Sequence, residues 1–537
     1  MKNAGNALIS VYDKTGIEDF AKQLSKLGWI IYASGGTAKA IKKAGIKAID
    51  TAELSNGGEI LGHRVVTLSR EIYAGILADN TKEHQQELKT LGIPKIDLVC
   101  VDMYPLLEEI NNPAATAESI IEKTDVGGPT LLHAAAKGMR IVLSRPSQRG
   151  EVIDWLKAGK PEPQEFIAKL ASIAEYEVAG YMMDSAKYHM HGNLSGTLSE
   201  RIDSPKYGEN PWQAGAGFFK PRNTNDSLAI ANFKLIEGVG MSYNNYTDVD
   251  RLLQSITHVA AGFERNFKNV PPIALGAKHG NLCGVGIDES PVKAIKKMLE
   301  GDERAIFGGS VAVNFVIDKK AAEAIMKYKI EKGKRILDVV MAPGVEDDAL
   351  EILRRKNGKL RVFTNPALSS LSEESLEKSE RVKCIRGGRL RQQNYTFVYD
   401  FSYPEIQWAG EPANDQQRKD LITAWAVGST SNSNSICVVK NGMLLANGVG
   451  QQDRVTAAEL ALMRAKNAGH DLTGSSAYSD SFFPFTDGVQ LLIDAGIRSV
   501  ITSRGSVRDA EVTEALNKAG ASFVTLPDSI CRGFFGH

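Results

Sequence analysis

The first 140 residues alternate between short apolar runs and segments that carry helix signals. Four of the runs, at positions 6–11, 29–33, 98–101 and 140–143, are apolar almost throughout. Strands without polar alternation are typical of a sheet covered on both faces, and such sheets consist of parallel strands joined by right-handed crossover helices. The pattern therefore predicts an N-terminal α/β domain built on a parallel sheet.

Polar and glycine-rich residues follow the predicted strands. Ligands of open parallel sheets bind beyond the carboxyl ends of the strands, so we expect Lys14, the turn 34–37, Tyr104 and Asp125 to converge on one pocket. The glycines of the turn Ser34-Gly35-Gly36-Thr37 would let backbone N–H groups at a helix N-terminus approach an anion. The alternative is that Thr37 only caps the helix while the glycines form a tight turn.

A second glycine-containing turn, Asp125-Val126-Gly127-Gly128-Pro129, precedes another predicted helix. Pro129 is expected at its first position, where proline fits best. This helix would present Thr130, His133 and Lys137 on one face. That face either adjoins the pocket or is an exposed polar stripe.

Lys278 and His279 form a basic pair at the end of a predicted buried strand over 272–276. Adjacent residues of a strand point to opposite sides, so the two can share a site only where the chain bends, and Gly280, Asn281 and Gly284 are expected to supply the bend. A lysine and a histidine together can stabilise an oxyanion and move a proton near neutral pH. The alternative is a solvated lysine beside a histidine that caps a loop.

The composition excludes several classes of protein. A chain of 537 residues is expected to form several domains, and its 64 basic and 64 acidic side chains give no global field for nucleic acid, although a local basic pocket for a phosphorylated ligand is compatible with this balance. The five cysteines include no CxxC pair, which argues against a disulfide framework or a cysteine zinc site. Without an 18-residue apolar run or a signal sequence, we expect a cytoplasmic protein that binds no membrane.

Further along, an amphipathic helix is predicted around 166–182, and a segment rich in Gly, Ser, Pro and Asn at 191–212 is predicted to be a linker. Beyond it the α/β alternation resumes, without a visible repeat of fixed period.

An ordered set of motifs then points to a known family. In sequence order the motifs are SVYDKTG (10–16), ASGGTAKA (33–40), DVGGPTLL (125–132), YGENP (207–211), SYNN (242–245), KHGNLCG (278–284), FGG (307–309), APG (342–344), SNS (433–435) and SDSFFPF (479–485). Over nearly its whole length the chain resembles the bifunctional purine biosynthesis proteins that are AICAR transformylase and IMP cyclohydrolase.

The resemblance implies an α/β fold in several parts. Residues 1–195 would form a methylglyoxal-synthase-like cyclohydrolase domain, and 196–212 would be a linker and the start of the transformylase region. Residues 213–365 and 366–537 would be two cytidine-deaminase-like transformylase subdomains. The chain would transfer a formyl group from the co-substrate 10-formyltetrahydrofolate to AICAR and close formyl-AICAR to IMP. The resemblance also implies a homodimer with interfacial transformylase sites and a structural potassium ion, without zinc.

The resemblance assigns roles to particular residues. In formyl transfer, Lys278 would stabilise the oxyanion, His279 would move the proton and Asn434 would help to hold this centre, while Tyr104, Asp125 and Lys137 would serve cyclisation. Residues expected to bind the substrates of the two reactions are Lys14, Ser34, Gly35, Gly36, Thr37, Arg64, Thr67, Gly127, Lys206, Tyr207, Asn245, Gly308, Asp338, Arg454, Phe483 and Arg532.

Several positions depart from the pattern of the family. In the transformylase region Lys206 replaces an arginine, Leu282 a proline and Asp453 a serine; we expect Asp453 to pair with Arg454 and divert it from its ligand. In the cyclohydrolase region Val66 replaces a lysine, and Asp102 and His133 replace an asparagine and an arginine. The alternative hypothesis is a transformylase whose N-terminal domain cyclises weakly or only binds a nucleotide.

Overall fold

The computed structural model describes residues 4–55, 60–61, 64–222 and 224–536. The chain forms two compact units, Met1–Ser199 and Glu200–His537.

The small unit is built on a parallel five-stranded sheet with the strand order β3-β2-β1-β4-β5. The strands are β1 (Gly5–Val11), β2 (Trp29–Ala33), β3 (Ile49–Asp50), β4 (Leu98–Asp102) and β5 (Ile141–Leu143). The helices are α1 (Ile17–Lys26), α2 (Gly35–Lys43), α3 (Arg70–Leu77), α4 (Lys82–Leu91), α5 (Leu106–Asn111), α6 (Ala117–Glu122), α7 (Gly127–Lys137), α8 (Gln148–Lys157) and α9 (Pro163–His189).

The four apolar runs are all strands, and their side chains form one buried core with the inner faces of the helices. The two-residue strand β3 was not predicted, because it is too short to show a pattern. Helix α7 begins at Gly127, so Pro129 is its third residue rather than its first. The predicted linker is also partly structured, because β6 (Ser199–Asp203) pairs with β7 (Phe218–Pro221).

The large unit contains a mixed sheet of twelve strands in the order β16-β21-β20-β19-β17-β18-β10-β9-β11-β12-β13-β8. Its first six strands in the chain are β8 (Lys234–Glu237), β9 (Ile273–Lys278), β10 (Asn281–Ile287), β11 (Gly309–Val313), β12 (Leu337–Ala342) and β13 (Arg361–Thr364). A separate hairpin comes next, made of β14 (Glu380–Ile385) and β15 (Gly388–Gln393). The other six strands of the sheet are β16 (Gln407–Ala409), β17 (Ile436–Lys440), β18 (Met443–Gly448), β19 (Ser476–Ser479), β20 (Ser499–Arg504) and β21 (Ser522–Pro527).

The helices of the large unit flank this sheet. They are α10 (Tyr243–Phe267), α11 (Pro291–Gly301), α12 (Lys319–Lys327), α13 (Asp347–Leu353), α14 (Asp415–Ser429), α15 (Arg454–Asn467), α16 (Thr486–Asp494), α17 (Asp509–Lys518) and α18 (Asp528–Cys531). The expected fold class is confirmed, because an N-terminal unit with a parallel sheet precedes this mixed-sheet unit in an α/β chain.

The twelve-stranded sheet consists of two halves with the same internal plan. Each half begins with an antiparallel hairpin, β9–β10 in one and β17–β18 in the other, and a third strand pairs antiparallel with it, β11 or β19. Two further strands continue parallel to the third, and the last strand, β8 or β16, is antiparallel and forms the edge of the sheet. The halves meet where β10 pairs antiparallel with β18, at Gly286 and Met443. This structural repeat has no counterpart in a sequence period.

Candidate active sites

The carboxyl ends of β1 and β2 carry the first polar group of the small unit. The hydroxyls of Ser10 and Ser34 lie 2.9 Å apart. Thr37 is buried in the first turn of α2, and its Oγ1 accepts from the backbone N–H of Val11 and donates to the carbonyl of the same residue, both at 3.2 Å. Thr37 therefore ties α2 to β1 rather than capping the helix. Ser34, at the N-cap position, makes no side-chain capping bond, so its hydroxyl leaves the first N–H groups of α2 uncapped.

Lys14 brings a positive charge to this helix end. Its Nζ donates to the carbonyls of Val11 and Tyr12, both at 2.8 Å. A Cβ atom placed on Gly36 would lie 3.9 Å from that Nζ, so the ammonium group faces the start of α2. A lysine ammonium and a helix N-terminus both attract negative charge. The two together are suited to binding an anion at this edge of the sheet.

Tyr104 and Asp125 lie beside one another in the same unit. The rings of Tyr12 and Tyr104 meet edge to face with centroids 5.3 Å apart, and Lys123 Nζ lies 3.2 Å from the Tyr12 hydroxyl. Burial raises the pKa of Tyr104, and the nearby charge of Asp125 raises it further. Burial also raises the pKa of Asp125, although backbone N–H groups, including that of Gly128 at 2.9 Å, favour its charged form. A carboxyl group shifted toward neutral pH is suited to moving a proton.

Thr67 and Gly127 lie next to Asp125. A Cβ on Gly127 would lie 3.0 Å from Thr67 Oγ1, so only glycine fits there without displacing the threonine. Arg64 is exposed and forms an ion pair with Glu122 at 2.8 Å. The structure thus brings Thr67 and Gly127 together, whereas Arg64 is held by a surface carboxylate.

Lys137 does not join this cluster within one chain. It is exposed in the last turn of α7, and the ten residues that separate it from Gly127 correspond to about 15 Å along the helix axis. His133, on the same helix, pairs with Glu175 at 2.8 Å between Nδ1 and Oε1. The face of α7 with His133 and Lys137 therefore leads away from Gly127 and Asp125 at the start of the helix.

Arg149 is a residue of this site that the sequence does not reveal. It is buried on α8, and its Nη1 donates to the carbonyl of Thr15 at 2.8 Å, which fixes the loop that carries Lys14. The backbone N–H of Asp13 in the same loop donates to Asp102 Oδ2 at 2.8 Å. Burial raises the pKa of Asp102, and the charge of Arg149 counteracts this shift. No local pattern marks Arg149, because its contacts depend on a crossover connection.

In the large unit, Lys278 and His279 lie at the tip of the β9–β10 hairpin. Lys278 pairs with Asn281, and His279 and Gly280 have φ values of 54° and 68°, as a two-residue type I′ turn requires. The predicted bend is therefore present, although Gly284 lies inside β10. Lys278 Nζ donates to the carbonyl of Phe307 at 2.5 Å, and the N–H of Gly280 donates to Asp248 Oδ1 at 2.8 Å. The buried Asp248 carboxyl thus anchors the turn.

The hairpin is joined to the loop that contains Asn434. Asn281 Oδ1 accepts from the N–H of Asn432 at 3.3 Å, and Asn447 Nδ2 donates to the carbonyl of Leu282 at 3.1 Å. Asn434 itself donates through Nδ2 to the carbonyl of Gln451 at 2.9 Å. Two predicted site segments from opposite halves of the sheet are therefore in direct contact.

Residues 535 and 536 hold the same loop from another side. The N–H of Phe535 donates to the carbonyl of Ser431 at 2.9 Å, and the N–H of Ser433 donates to the carbonyl of Gly536 at 3.2 Å. The guanidinium groups of Arg251 and Arg381 lie 4.4 and 3.8 Å from the centroid of the Phe535 ring. Cation–π contacts of this kind hold the segment against the loop.

Arg454 connects Asn434 with the end of β19. Its Nη2 donates to Asn434 Oδ1 at 2.9 Å, and its Nη1 contacts Ser479 Oγ at 2.8 Å and the fully buried Asp480 carboxylate. The expectation that Asp453 diverts Arg454 is wrong. Asp453 instead caps α15 by accepting from the N–H of Thr456 at 2.8 Å, because an aspartate at this position satisfies a free helix donor.

The other predicted residues of the large unit lie on several different elements. Gly308 has a φ of 70° and donates its N–H to the carbonyl of Ile336, near Asp338. Asn245 is buried and forms a capping box with Ser242 at the start of α10. The other predicted binding residues are the exposed Lys206 and half-buried Tyr207 of the β6–β7 loop, the buried Phe483 of a core cluster, and Arg532, which pairs with Asp528 at 3.5 Å.

Among residues 4–55, 60–61, 64–222 and 224–536, no three His, Cys, Asp or Glu side chains are grouped as a metal site. In the same ranges, no helix has both the length and the apolar content needed to span a bilayer.

The chain thus has two α/β units, one with a lysine at a helix N-terminus and a buried carboxyl group, and one with a Lys–His hairpin turn whose hairpin contacts the loop of Asn434, which is the make-up of an α/β enzyme. The model of the AICARFT/IMPCHase bienzyme family matches residues 135–464, and that of the MGS-like domain matches residues 16–130. The chain belongs to the AICARFT/IMPCHase bienzyme family. It is therefore a bifunctional transformylase and IMP cyclohydrolase of the last two steps of purine biosynthesis.

One relative matches almost end to end. The chain is 35% identical over 528 residues to the bifunctional purine biosynthesis protein PurH of Anoxybacillus flavithermus. The aligned region covers 96% of this chain and 98% of the relative. A solved structure titled "Crystal structure of ForH" is 34% identical and matches 36% of this chain and all of that chain, with a TM-score of 0.32.

Proposed function

We propose that the two reactions are divided between the units, with cyclisation at the Lys14–Asp125 site within 1–195 and formyl transfer at the Lys278–His279 site within 213–537, after a connecting segment at 196–212. The division is supported by the MGS-like match, which lies inside the first range. It is also supported by the residues of each site. An anion site beside a carboxyl group is suited to holding a phosphate and moving protons, whereas a Lys–His pair is suited to stabilising an oxyanion and moving a proton.

For formyl transfer, the 5-amino group of AICAR attacks the formyl carbon of 10-formyltetrahydrofolate. The carbonyl oxygen becomes an oxyanion, which Lys278 Nζ stabilises after leaving the Phe307 carbonyl. The carbon–N10 bond then breaks, and His279 carries the proton lost by the amine to N10, so that formyl-AICAR and tetrahydrofolate are released. The I′ turn supports this role, since it places both side chains at one hairpin tip.

Asn434 and Arg454 act around this pair. The Arg454 guanidinium accounts for one hydrogen bond of Asn434 Oδ1 and so fixes which way the amide faces. Tyr207, Asn245, Gly308, Asp338, Phe483 and Arg532 belong to the same proposal as nucleotide or folate contacts, with Lys206 on the AICAR phosphate. A lysine in place of an arginine keeps the charge and loses the bidentate contact, so Lys206 binds phosphate more weakly.

For cyclisation, the phosphate of formyl-AICAR binds between Lys14 and the start of α2. The carboxamide nitrogen attacks the formyl carbon, and water leaves as the ring closes. Asp125 and Tyr104 move the protons, and the raised pKa of the Asp125 carboxyl suits that task. The assignment of Lys137 stays a prediction, with about 15 Å of helix between it and Gly127.

The proposal further includes a homodimer with interfacial transformylase sites, a cytoplasmic location and the structural potassium ion that the resemblance implies.

Reciprocal variants test the division. Purified protein is given AICAR and 10-formyltetrahydrofolate, and formyl-AICAR and IMP are measured separately by mass-resolved chromatography. His279→Ala should abolish formyl transfer and still cyclise supplied formyl-AICAR, whereas Asp125→Asn should accumulate formyl-AICAR. Loss of both reactions in either folded variant would show that the division is wrong.

A further inference from the structure

A pocket in the first half of the large sheet is lined almost entirely by cations. It has a volume of about 460 Å³, and its lining residues are Lys334, Arg354, Arg355, Lys356, Asn357 and Lys359. Five of these six side chains are basic, in a chain whose acidic and basic residues are equal in number. None of the six is among the residues predicted for either reaction, so the pocket is not explained by the two activities.

Two of the cations are fixed at the pocket by backbone oxygens. Lys334 Nζ donates to the carbonyl of Arg354 at 2.9 Å, and Arg355 Nη1 donates to the carbonyl of Leu337 at 2.8 Å. A backbone carbonyl accepts one hydrogen bond from the ammonium or guanidinium group, but it carries no net charge that could neutralise the cation. Their positive charges are therefore held in place without being neutralised.

Among the described residues, carboxylates form ion pairs with one of the pocket's cations, Arg354. Arg354 pairs with Glu237 at 2.8 Å and also contacts Glu351. In the part of the chain that the structure describes, no carboxylate lies within ion-pair distance of Lys334, Arg355, Lys356 or Lys359. The N–H of Gly358 donates to the carbonyl of Arg355 at 3.1 Å and closes the turn that contains Lys356. Four basic side chains therefore share one pocket without an acidic partner.

We propose that this pocket binds a small polyanion, a ligand with two or more adjacent phosphate groups or a short run of carboxylates. Four neighbouring charges of one sign repel one another, and a ligand that meets several of them removes more of this repulsion than a single anion does. The volume lies within the range of about 300–1,000 Å³ that is typical of small-molecule sites. Among the residues that the structure describes, no aromatic side chain lines the pocket, so recognition depends on charge rather than on stacking.

Calorimetric titration of the full chain with inorganic tripolyphosphate tests the proposal. The expected result is saturable binding of one ligand per chain. Lys356→Gln combined with Lys359→Gln should weaken binding at least tenfold, because these two lysines supply charge without holding the backbone. The control pair Lys319→Gln with Lys320→Gln removes the same charge from the exposed start of α12 and should change affinity less than twofold.

Three results would overturn the proposal. These are absence of saturable binding, equal weakening by both pairs of substitutions, and displacement of tripolyphosphate by AICAR, which would place it in the nucleotide site. A parallel titration with a tri-γ-glutamate peptide distinguishes the two ligand chemistries. Tighter binding of the peptide identifies a carboxylate ligand, and tighter binding of tripolyphosphate identifies a phosphorylated one.

Discussion

Arg454 donates a hydrogen bond from Nη2 to Asn434 Oδ1 at 2.9 Å while its Nη1 contacts the buried carboxylate of Asp480. A single guanidinium thus neutralises an interior charge and orients the amide proposed to hold the formyl-transfer centre. The same carboxylate also accepts from Ser433 Oγ at 2.7 Å and from the N–H of Ser435 at 3.1 Å. The loop with Asn434 and the start of α15 are therefore parts of one polar network.

Arg454→Met should destabilise the protein because it leaves Asp480 buried without its cation. Removing one partner of a buried ion pair costs about 3–5 kcal/mol, and we expect the lower end because two other donors still contact Asp480. Chemical denaturation measures the loss. Adding Asp480→Asn should recover part of it, whereas Arg508→Met, at an exposed pair with Glu511, should cost less than about 1 kcal/mol. A loss no greater than that of the Arg508 variant would contradict the buried-pair interpretation.

Asp125→Asn should stabilise the protein in a pH-dependent way. Burial raises the pKa of Asp125 above its usual 3.8, so the folded state favours the protonated carboxyl group. That contribution is complete below pH 3.8 and is lost as the pH rises through the raised pKa. Asparagine cannot ionise, so the variant should be as stable as the parent chain at low pH and more stable above the raised pKa.

Urea denaturation of both proteins across this pH range measures the difference, and a gap that is constant with pH would refute the assignment. Loss of general acid–base catalysis should at the same time slow cyclisation about 10²–10⁴-fold. Increased stability together with lost activity is the combination expected of a destabilising catalytic carboxyl group.

Val66→Lys should accelerate cyclisation. The resemblance places a lysine at this position, next to the buried Thr67, and one charged contact to a transition state contributes about 10²–10³-fold in rate. Val66→Met extends the side chain without a charge and is the matched control. Cyclisation of supplied formyl-AICAR should rise on the order of 10²-fold in the lysine variant only. An unchanged rate would mean that another cation already performs this task.

Arg149→Met should weaken nucleotide binding in the small unit. The substitution removes the bond to the Thr15 carbonyl that fixes the Lys14 loop, and it removes a charge that favours the ionised form of Asp102. Losing a hydrogen bond from a charged group costs about 1.5–3 kcal/mol, so KM for formyl-AICAR should rise at least about tenfold. Formyl transfer by the same variant is the internal control. A fall in kcat at unchanged KM would argue against a role in positioning the loop.

Local patterns predicted much of the small unit and the bend at His279. Apolar runs fix strands because burial on both faces leaves no polar alternation, and Gly280 after His279 marks a tight turn. The prediction that Asp453 pairs with Arg454 was wrong because Asp453 stands at the start of a helix, where its carboxylate accepts from a free backbone N–H instead. Arg149 depends on a contact with Thr15, 134 residues earlier, for which no local signal exists.

The repeat within the large sheet could not be predicted from the sequence either, because it too depends on contacts between distant segments. Strand order and direction are preserved between its halves, but these properties do not require similar side chains at a fixed interval. The Lys278–His279 turn belongs to one half, while Asn434 and Arg454 belong to the other. The proposed formyl-transfer centre therefore needs both halves, although each half has a complete strand plan.

The pairing of β10 with β18 has a practical consequence for anyone who divides this chain. Each strand occupies the position that would be an outer edge if its half stood alone, and an uncovered edge offers unpaired N–H and C=O groups to any other chain. A fragment that ended before β16 would keep its hairpin but expose the β10 edge along a largely buried strand. Fragments made for crystallography or selection would therefore tend to aggregate at this edge, and the large unit should be expressed whole.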